Sequence, residues 1–230
     1  CHMTKNEAPR PRTPRSSTSA PMNSDAVAQV LQDRIDRDGQ GVGMAVGVET
    51  ILEVGSVTKV FTSVLLAEMA ERGELVLEEP LENFLPPSVE VPSRAGRKIT
   101  LIDLATHTSG WPRRPANLPM DDSPDPYGDY SLAQLHAAVS STALTHDIGA
   151  HFEYSNFGFS LLGQALARRA NSDLDALLAE RVTGPLMMHH TSMRPMADFE
   201  SSTALGHNMQ LEEVPAWCGY RKARGAGANR

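Results

Sequence analysis

Between residues 57 and 69 the apolar positions Val57, Val60, Phe61, Val64, Leu65 and Met69 recur at helical spacing, and Gly73 follows Glu71-Arg72 as a stop. The pattern predicts a long, buried helix opened by Ser56. The same period runs through 24–38, where Val27, Val30, Leu31 and Ile35 share one face behind Ser24 or Asp25 as N-cap. It returns at 156–170, where Phe159, Leu161, Leu162, Leu166 and Ala167 carry it. Shorter helices are expected from Thr100 as cap over ITLIDLATH, from Ser131 to about Ser140, and over roughly 173–182.

Only VGMAVGVE at 42–49 reads as a strand, with the small and β-branched residues of a buried one. The stretch 80–97 reads as a proline-rich connection. Residues 110–130, with five prolines, read as a long surface loop of the kind that borders a pocket. From Met196 to Arg230 the chain reads as irregular and ends in a Gly-rich segment. One strand cannot satisfy its own backbone groups or cover this many apolar helices. The expectation is therefore a mainly helical body with an incomplete sheet, and no internal repeat.

Charge narrows the partners. Twenty-one Lys and Arg stand against 28 Asp and Glu, a net charge of −7, which argues against binding a phosphate backbone; no nucleic-acid partner is expected. No apolar run approaches the ~20 residues that cross a bilayer, so no membrane span is expected. Residues 1–23 are rich in Pro, Arg, Ser and Thr without a hydrophobic segment, which predicts a disordered tail and no intact signal peptide. Cys1-His2 ahead of Met3 reads as a cloning scar. The expected location is cytoplasmic, or periplasmic or secreted if a signal peptide has been removed. Cys1 and Cys218 lie at opposite ends and show no redox or metal spacing, and His189-His190 lacks nearby ligands and reads as a solvated loop pair. Neither metal nor other cofactor is expected.

The candidate chemistry begins at GSVTK, residues 55–59. Ser56 and Lys59, at i and i+3, share one helix face, so the amine can reach the hydroxyl. Desolvation in an apolar helix can lower an amine's pKa enough for it to accept a proton, and a helix N-terminus favours negative charge on the serine. Taken alone, the motif is more often a serine cap followed by a chance lysine. A second element is Tyr154-Ser155-Asn156, where a phenol can relay protons and a carboxamide can hold substrate or lysine. Its competing reading is a half-buried core tyrosine followed by an ordinary helix cap at Asn156.

Taken together, GSVTKVFTSVLLAEM, LIDLATHTSGWP, EYSNFGFSLLGQALARR and PLMM at 185–188 resemble, in order and rough spacing, the class C β-lactamase-like serine hydrolases. That group includes penicillin-binding D-alanyl peptidases and family VIII esterases, and the resemblance covers about residues 25–230. It implies an α/β, β-lactamase/transpeptidase-like serine hydrolase fold over residues 24–230, represented mostly by its helical part. Ser56 would be the acylated nucleophile and Lys59 its partner. Tyr154 would pass protons between nucleophile and leaving group, and Asn156 would contact substrate. The implied substrates are small-molecule esters, β-lactams or D-peptide amides. The HTSG segment at 107–110 matches a block that is mainly a structural turn, so His107 is not expected to be the general base.

The resemblance also predicts a third motif, Lys-Thr-Gly, His-Thr-Gly or a Trp-x-Gly variant, on a strand that supplies one oxyanion-hole N–H. Nothing downstream of Asn156 matches it: Val182-Thr183-Gly184 falls at a helix end, and Trp217-Cys218-Gly219 agrees in letters only. Upstream, Thr50–Val54 bridge the strand directly to the serine block where the family has a further strand and connector. A non-catalytic remnant or binding module of the same family therefore stands as the alternative. Trp111 and Trp217 are even between lining a pocket and packing. Oligomeric state is not legible.

Overall fold

The computed structural model describes Asp25, Gln29, Gln32, residues 51–118, Tyr127, and residues 129–194, 203–207 and 212–214. The chain divides into two units, Cys1–Val48 and Glu49–Arg230. In the first, Asp25, Gln29 and Gln32 are helical and exposed, where the 24–38 helix is expected. The tail at 1–23 and the strand at 42–49 lie outside the described residues.

The described residues of the second unit form five α-helices. Helix α1, Thr58–Glu71, is led in by a 3-10 turn over Gly55–Val57. It stops where Gly73 takes a φ of 70° and donates its amide to the Ala70 carbonyl at 2.9 Å. The expectation of a buried helix needs correction. Thr62, Leu65, Leu66 and Met69 enter the core, but Val57, Val60 and Val64 are 52%, 60% and 45% exposed. Apolar residues occupy most of this helix's circumference, and only one stripe meets the rest of the unit.

Helix α2, Leu101–Ala105, is held at its start by Asp103, whose carboxylate accepts from the Thr100 amide at 3.0 Å and the Thr100 hydroxyl at 2.7 Å. Helix α3, Leu132–Ser141, begins with a reciprocal capping box: Ser131 Oγ accepts from the Gln134 amide at 3.2 Å, and Gln134 Oε1 accepts from the Ser131 amide at 2.9 Å. Helix α4, Asn156–Arg169, is buried on nearly every side, with Phe157, Leu161, Leu162, Ala165 and Leu166 fully enclosed. It contacts α1, α2, the 3-10 turn Leu81–Phe84 and helix α5, Leu174–Leu178, which continues as a π-turn over Ala179–Thr183. The cap of α4 is Ser155 and not Asn156. Ser155 has an extended backbone and accepts the Gly158 amide on Oγ at 2.9 Å, whereas Asn156 is already in the helix.

Three further expectations change. The connection at 80–97 buries Leu81, Phe84 and Leu85 and carries a hairpin, β1 Ser93–Arg94 paired with β2 Arg97–Lys98. The loop at 110–130 is no mere surface loop, because Trp111, Leu118, Tyr127 and Tyr130 are driven into the core. Trp111 packs: its indole donates to the Thr142 carbonyl at 3.2 Å and its ring lies 4.9 Å from that of Phe157. Trp217 and the segment around it lie outside the described residues. Beyond Met196, expected to be irregular, β3 Gly206–His207 pairs with β4 Glu213–Val214, and Ile51 bridges Thr203 in parallel. The described residues are thus helix-rich, with only these small pieces of sheet, in keeping with the helical part of the expected fold.

Candidate active site

The lead-in turn of α1 presents Ser56 at the surface, and Lys59 follows one turn later. Lys59 Nζ donates to Ser56 Oγ at 3.3 Å. From the loop that precedes α4, the Tyr154 hydroxyl donates to the same Ser56 Oγ at 2.7 Å, across 98 residues of sequence. The ammonium of Lys59 also lies 4.8 Å from the centre of the Tyr154 ring and 5.7 Å from that of Phe159. Three residues singled out from two separate motifs therefore meet at one oxygen, that of Ser56.

Asn156 is placed differently. Its amide donates to the Arg113 carbonyl at 3.0 Å and its carbonyl accepts from Ser160 Oγ at 2.9 Å. Among the described residues no hydrogen bond links its carboxamide to Ser56, Lys59 or Tyr154.

The turn at 107–113 holds the Tyr154 loop from behind. The His107 carbonyl accepts the Glu153 amide at 2.8 Å, and His107 Nδ1 accepts the Ser155 amide at 3.0 Å. Ser155 Oγ donates to the Pro112 carbonyl at 2.8 Å. Gly110, at a φ of 81°, is required here, since a Cβ would come within 2.6 Å of the His146 carbonyl oxygen. The guanidinium of Arg113 sits 5.0 Å from the Tyr154 ring centre.

These neighbours set the electrostatics. Burial alone would raise the Tyr154 phenol, but hydrogen bonding with Lys59 and Ser56, together with the charges of Lys59 and Arg113, outweighs it and holds the phenol below its ordinary value of 10.0. Burial and, after it, the Lys59 charge depress His107 below 6.5. The sequence set His107 aside as general base and did not single out Arg113, because their contacts to the Tyr154 loop are tertiary. The hint was that His107 opens the HTSGWP block and Arg113 directly follows it. His189 and His190 are exposed in the turn after α5.

An exposed serine at a helix start, bonded at once to a lysine and a tyrosine from a second helix start, fits a serine acyl-transfer site. The chain belongs to the beta-lactamase family, whose model matches residues 25–229. It is 33% identical over 154 residues to the D-alanyl-D-alanine-carboxypeptidase/endopeptidase AmpH of Escherichia coli K12, covering 65% of this chain and 38% of that one. The beta-lactamase/D-alanine carboxypeptidase of Yersinia pestis superposes with a TM-score of 0.67 at 26% identity, over 80% of this chain and 51% of that one. A class C beta-lactamase does so with a TM-score of 0.62 at 25% identity, over 80% and 48%. The chain spans about half the length of these relatives, or less.

Proposed function

We propose that the protein is a serine hydrolase that forms an acyl-enzyme at Ser56 and acts on an ester, a β-lactam or a D-peptide amide. The observation that carries this reading is the convergence of Lys59 Nζ and the Tyr154 hydroxyl on Ser56 Oγ at 3.3 and 2.7 Å. In the first step, taken by the form in which the Tyr154 phenol has lost its proton, Ser56 Oγ bonds to the substrate carbonyl carbon, the carbonyl π electrons move onto its oxygen, and the serine proton passes to the Tyr154 oxygen of the Lys59–Tyr154 pair. The tetrahedral oxyanion accepts from the Ser56 amide, which lies at the start of the 3-10 turn leading into α1, where an amide has no helical carbonyl behind it. When it collapses, the bond to the leaving nitrogen or oxygen breaks, and the same pair returns the proton to that atom. Water then attacks the Ser56 ester by the reverse transfers, releasing the acid and restoring the hydroxyl. Asn156, at the head of α4, is the proposed contact for the substrate amide. No step calls for a cofactor.

A second reading is a non-catalytic binding member of the family. Labelling with a fluorophosphonate and with a β-lactam, followed by peptide mass mapping, separates the two. Acylation confined to Ser56 and absent from Ser56→Ala is the expected result. A label on Ser109 or Ser155 refutes the site, and no label at all favours the binding reading.

A further inference from the structure

We propose that His107 is a positioning residue for Tyr154: its bare Nδ1 accepts the Ser155 amide and so fixes the peptide that aims the phenol at Ser56. The inference rests on the acyl-transfer reading of Ser56 but on different atoms. His107 grips the Tyr154 loop twice, its carbonyl taking the Glu153 amide at 2.8 Å and its ring nitrogen the Ser155 amide at 3.0 Å. Tyr154 is the residue between those two amides, so its backbone is held on both sides by a single residue.

His107 itself sits at a φ of 61°, where side-chain-bearing residues are uncommon and His, Asn and Asp are the favoured exceptions. That turn brings the imidazole within 4.7 Å of the Tyr154 ring and 4.8 Å of the Phe159 ring, with Phe152 edge-on at 5.5 Å. An amide N–H cannot donate to a protonated nitrogen, so the neutral ring must carry its proton on Nε2.

The surroundings favour that neutral form. Lys59 faces the ring from α1 and Tyr154 from its own loop, and the Arg113 guanidinium lies on the Tyr154 ring. The carboxylate next in sequence, Glu153, is turned away to Thr145 and His146. Burial and the Lys59 charge both lower the pKa of His107, so the acceptor survives down to and below pH 6.5. As pH falls through that lowered value Nδ1 becomes a donor, faces another donor and lets the Tyr154 loop go. Acylation is then lost on the acid side.

The test pairs His107→Gly, which accepts the positive φ and removes the acceptor, with His107→Asn, which also tolerates the φ and offers Oδ1 near the place of Nδ1. Labelling of Ser56 is followed against pH. His107→Gly is expected to slow it about tenfold, as loss of one positioning hydrogen bond implies. His107→Asn should label at close to the wild-type rate and should lack the acid limb below pH 6.5. Equal losses in both variants, or an acid limb that survives in His107→Asn, would overturn the proposal. Nitrogen-15 NMR of the wild-type chain decides the contact without any activity: a bare Nδ1, with the Ser155 amide shift following the ring's titration, is expected. A ring protonated on Nδ1 at neutral pH refutes it. Should the wild-type chain take no label, acyl transfer fails and the NMR result still stands for or against His107.

Discussion

The Tyr154 phenol has two cations on its ring, Lys59 at 4.8 Å and Arg113 at 5.0 Å, and it shares Ser56 Oγ with the first of them. In the proposed reaction Lys59 is part of the proton path, whereas Arg113 acts on the phenol through its charge. Replacing Arg113 by Gln should raise the Tyr154 pKa toward 10.0, read as an alkaline shift of the phenolate absorbance that is absent in Tyr154→Phe. An unmoved titration would mean that the guanidinium is screened by water. For Lys59 and Tyr154 the expectation is kinetic. Lys59→Met and Tyr154→Phe should each slow Ser56 acylation by roughly 10²–10⁴, and the double variant should be little slower than the worse single one, because one proton path can be broken only once. Losses that multiply in single-turnover labelling would show two independent roles. Of these residues, Ser56, Lys59 and Tyr154 were legible in the sequence, since helix-start spacing puts the first two together and the Tyr-Ser-Asn triplet marks another helix start. His107 and Arg113 were not, because their contacts to Tyr154 depend on how the turn folds back.

Among the elements, β2 and α2 are joined through one buried carboxylate. Asp103, with a side chain 3% exposed, accepts from Thr100 and receives Arg97 Nη2 at 2.7 Å. Arg97 Nη1 donates onward to the Ile148 carbonyl at 2.6 Å, ahead of the Tyr154 loop. Removing the carboxylate leaves the Thr100 amide and hydroxyl without their acceptor at the head of α2 and Arg97, itself half-exposed, without its ion partner, so the cost exceeds the net worth of any one contact. Asp103→Ala should destabilise the chain by about 3 kcal/mol, a fall in Tm of roughly 6–12 °C for a domain of this size. Glu82→Gln is the control. Its 2.6 Å pair with Lys98 lies in solvent, so a change below about 0.5 kcal/mol is expected. Calorimetry that ranks the two variants equally would remove Asp103 from its joining role. The helices were legible because their signals are local: the Ser131 cap, the Gly73 stop and the apolar period of α4. The hairpin at 93–98 was not, because two-residue strands have no period to read, and the cap of α4 was misplaced by one residue because Ser155 and Asn156 are both good capping types.

At the scale of the molecule, periodicity located α1 but could not tell which of its apolar faces would be covered. Leu65 and Met69 are fully enclosed, while Val57, Val60 and Val64 lie open beside a groove lined by Lys59, Val60, Ser63, Val64, Ala67 and Phe159. An apolar stripe in water adds nothing to folding stability, although it gives the surface a hydrophobic patch next to the candidate nucleophile. The two faces should therefore answer differently to substitution. Leu65→Ala removes enclosed methyl groups and should cost about 2–5 kcal/mol. The pair Val60→Thr and Val64→Thr keeps the β-branched shape, replaces only exposed methyls and should change stability by less than about 1 kcal/mol. The double variant should also bind less of a hydrophobic dye such as anilinonaphthalene sulfonate, because its patch has gained two hydroxyls. Thermal melts and dye titrations of the three chains, at one concentration, compare the faces directly. If the threonine pair lowers Tm as far as Leu65→Ala does, the stripe is packed in solution, and the exposure of this face of α1 is wrong.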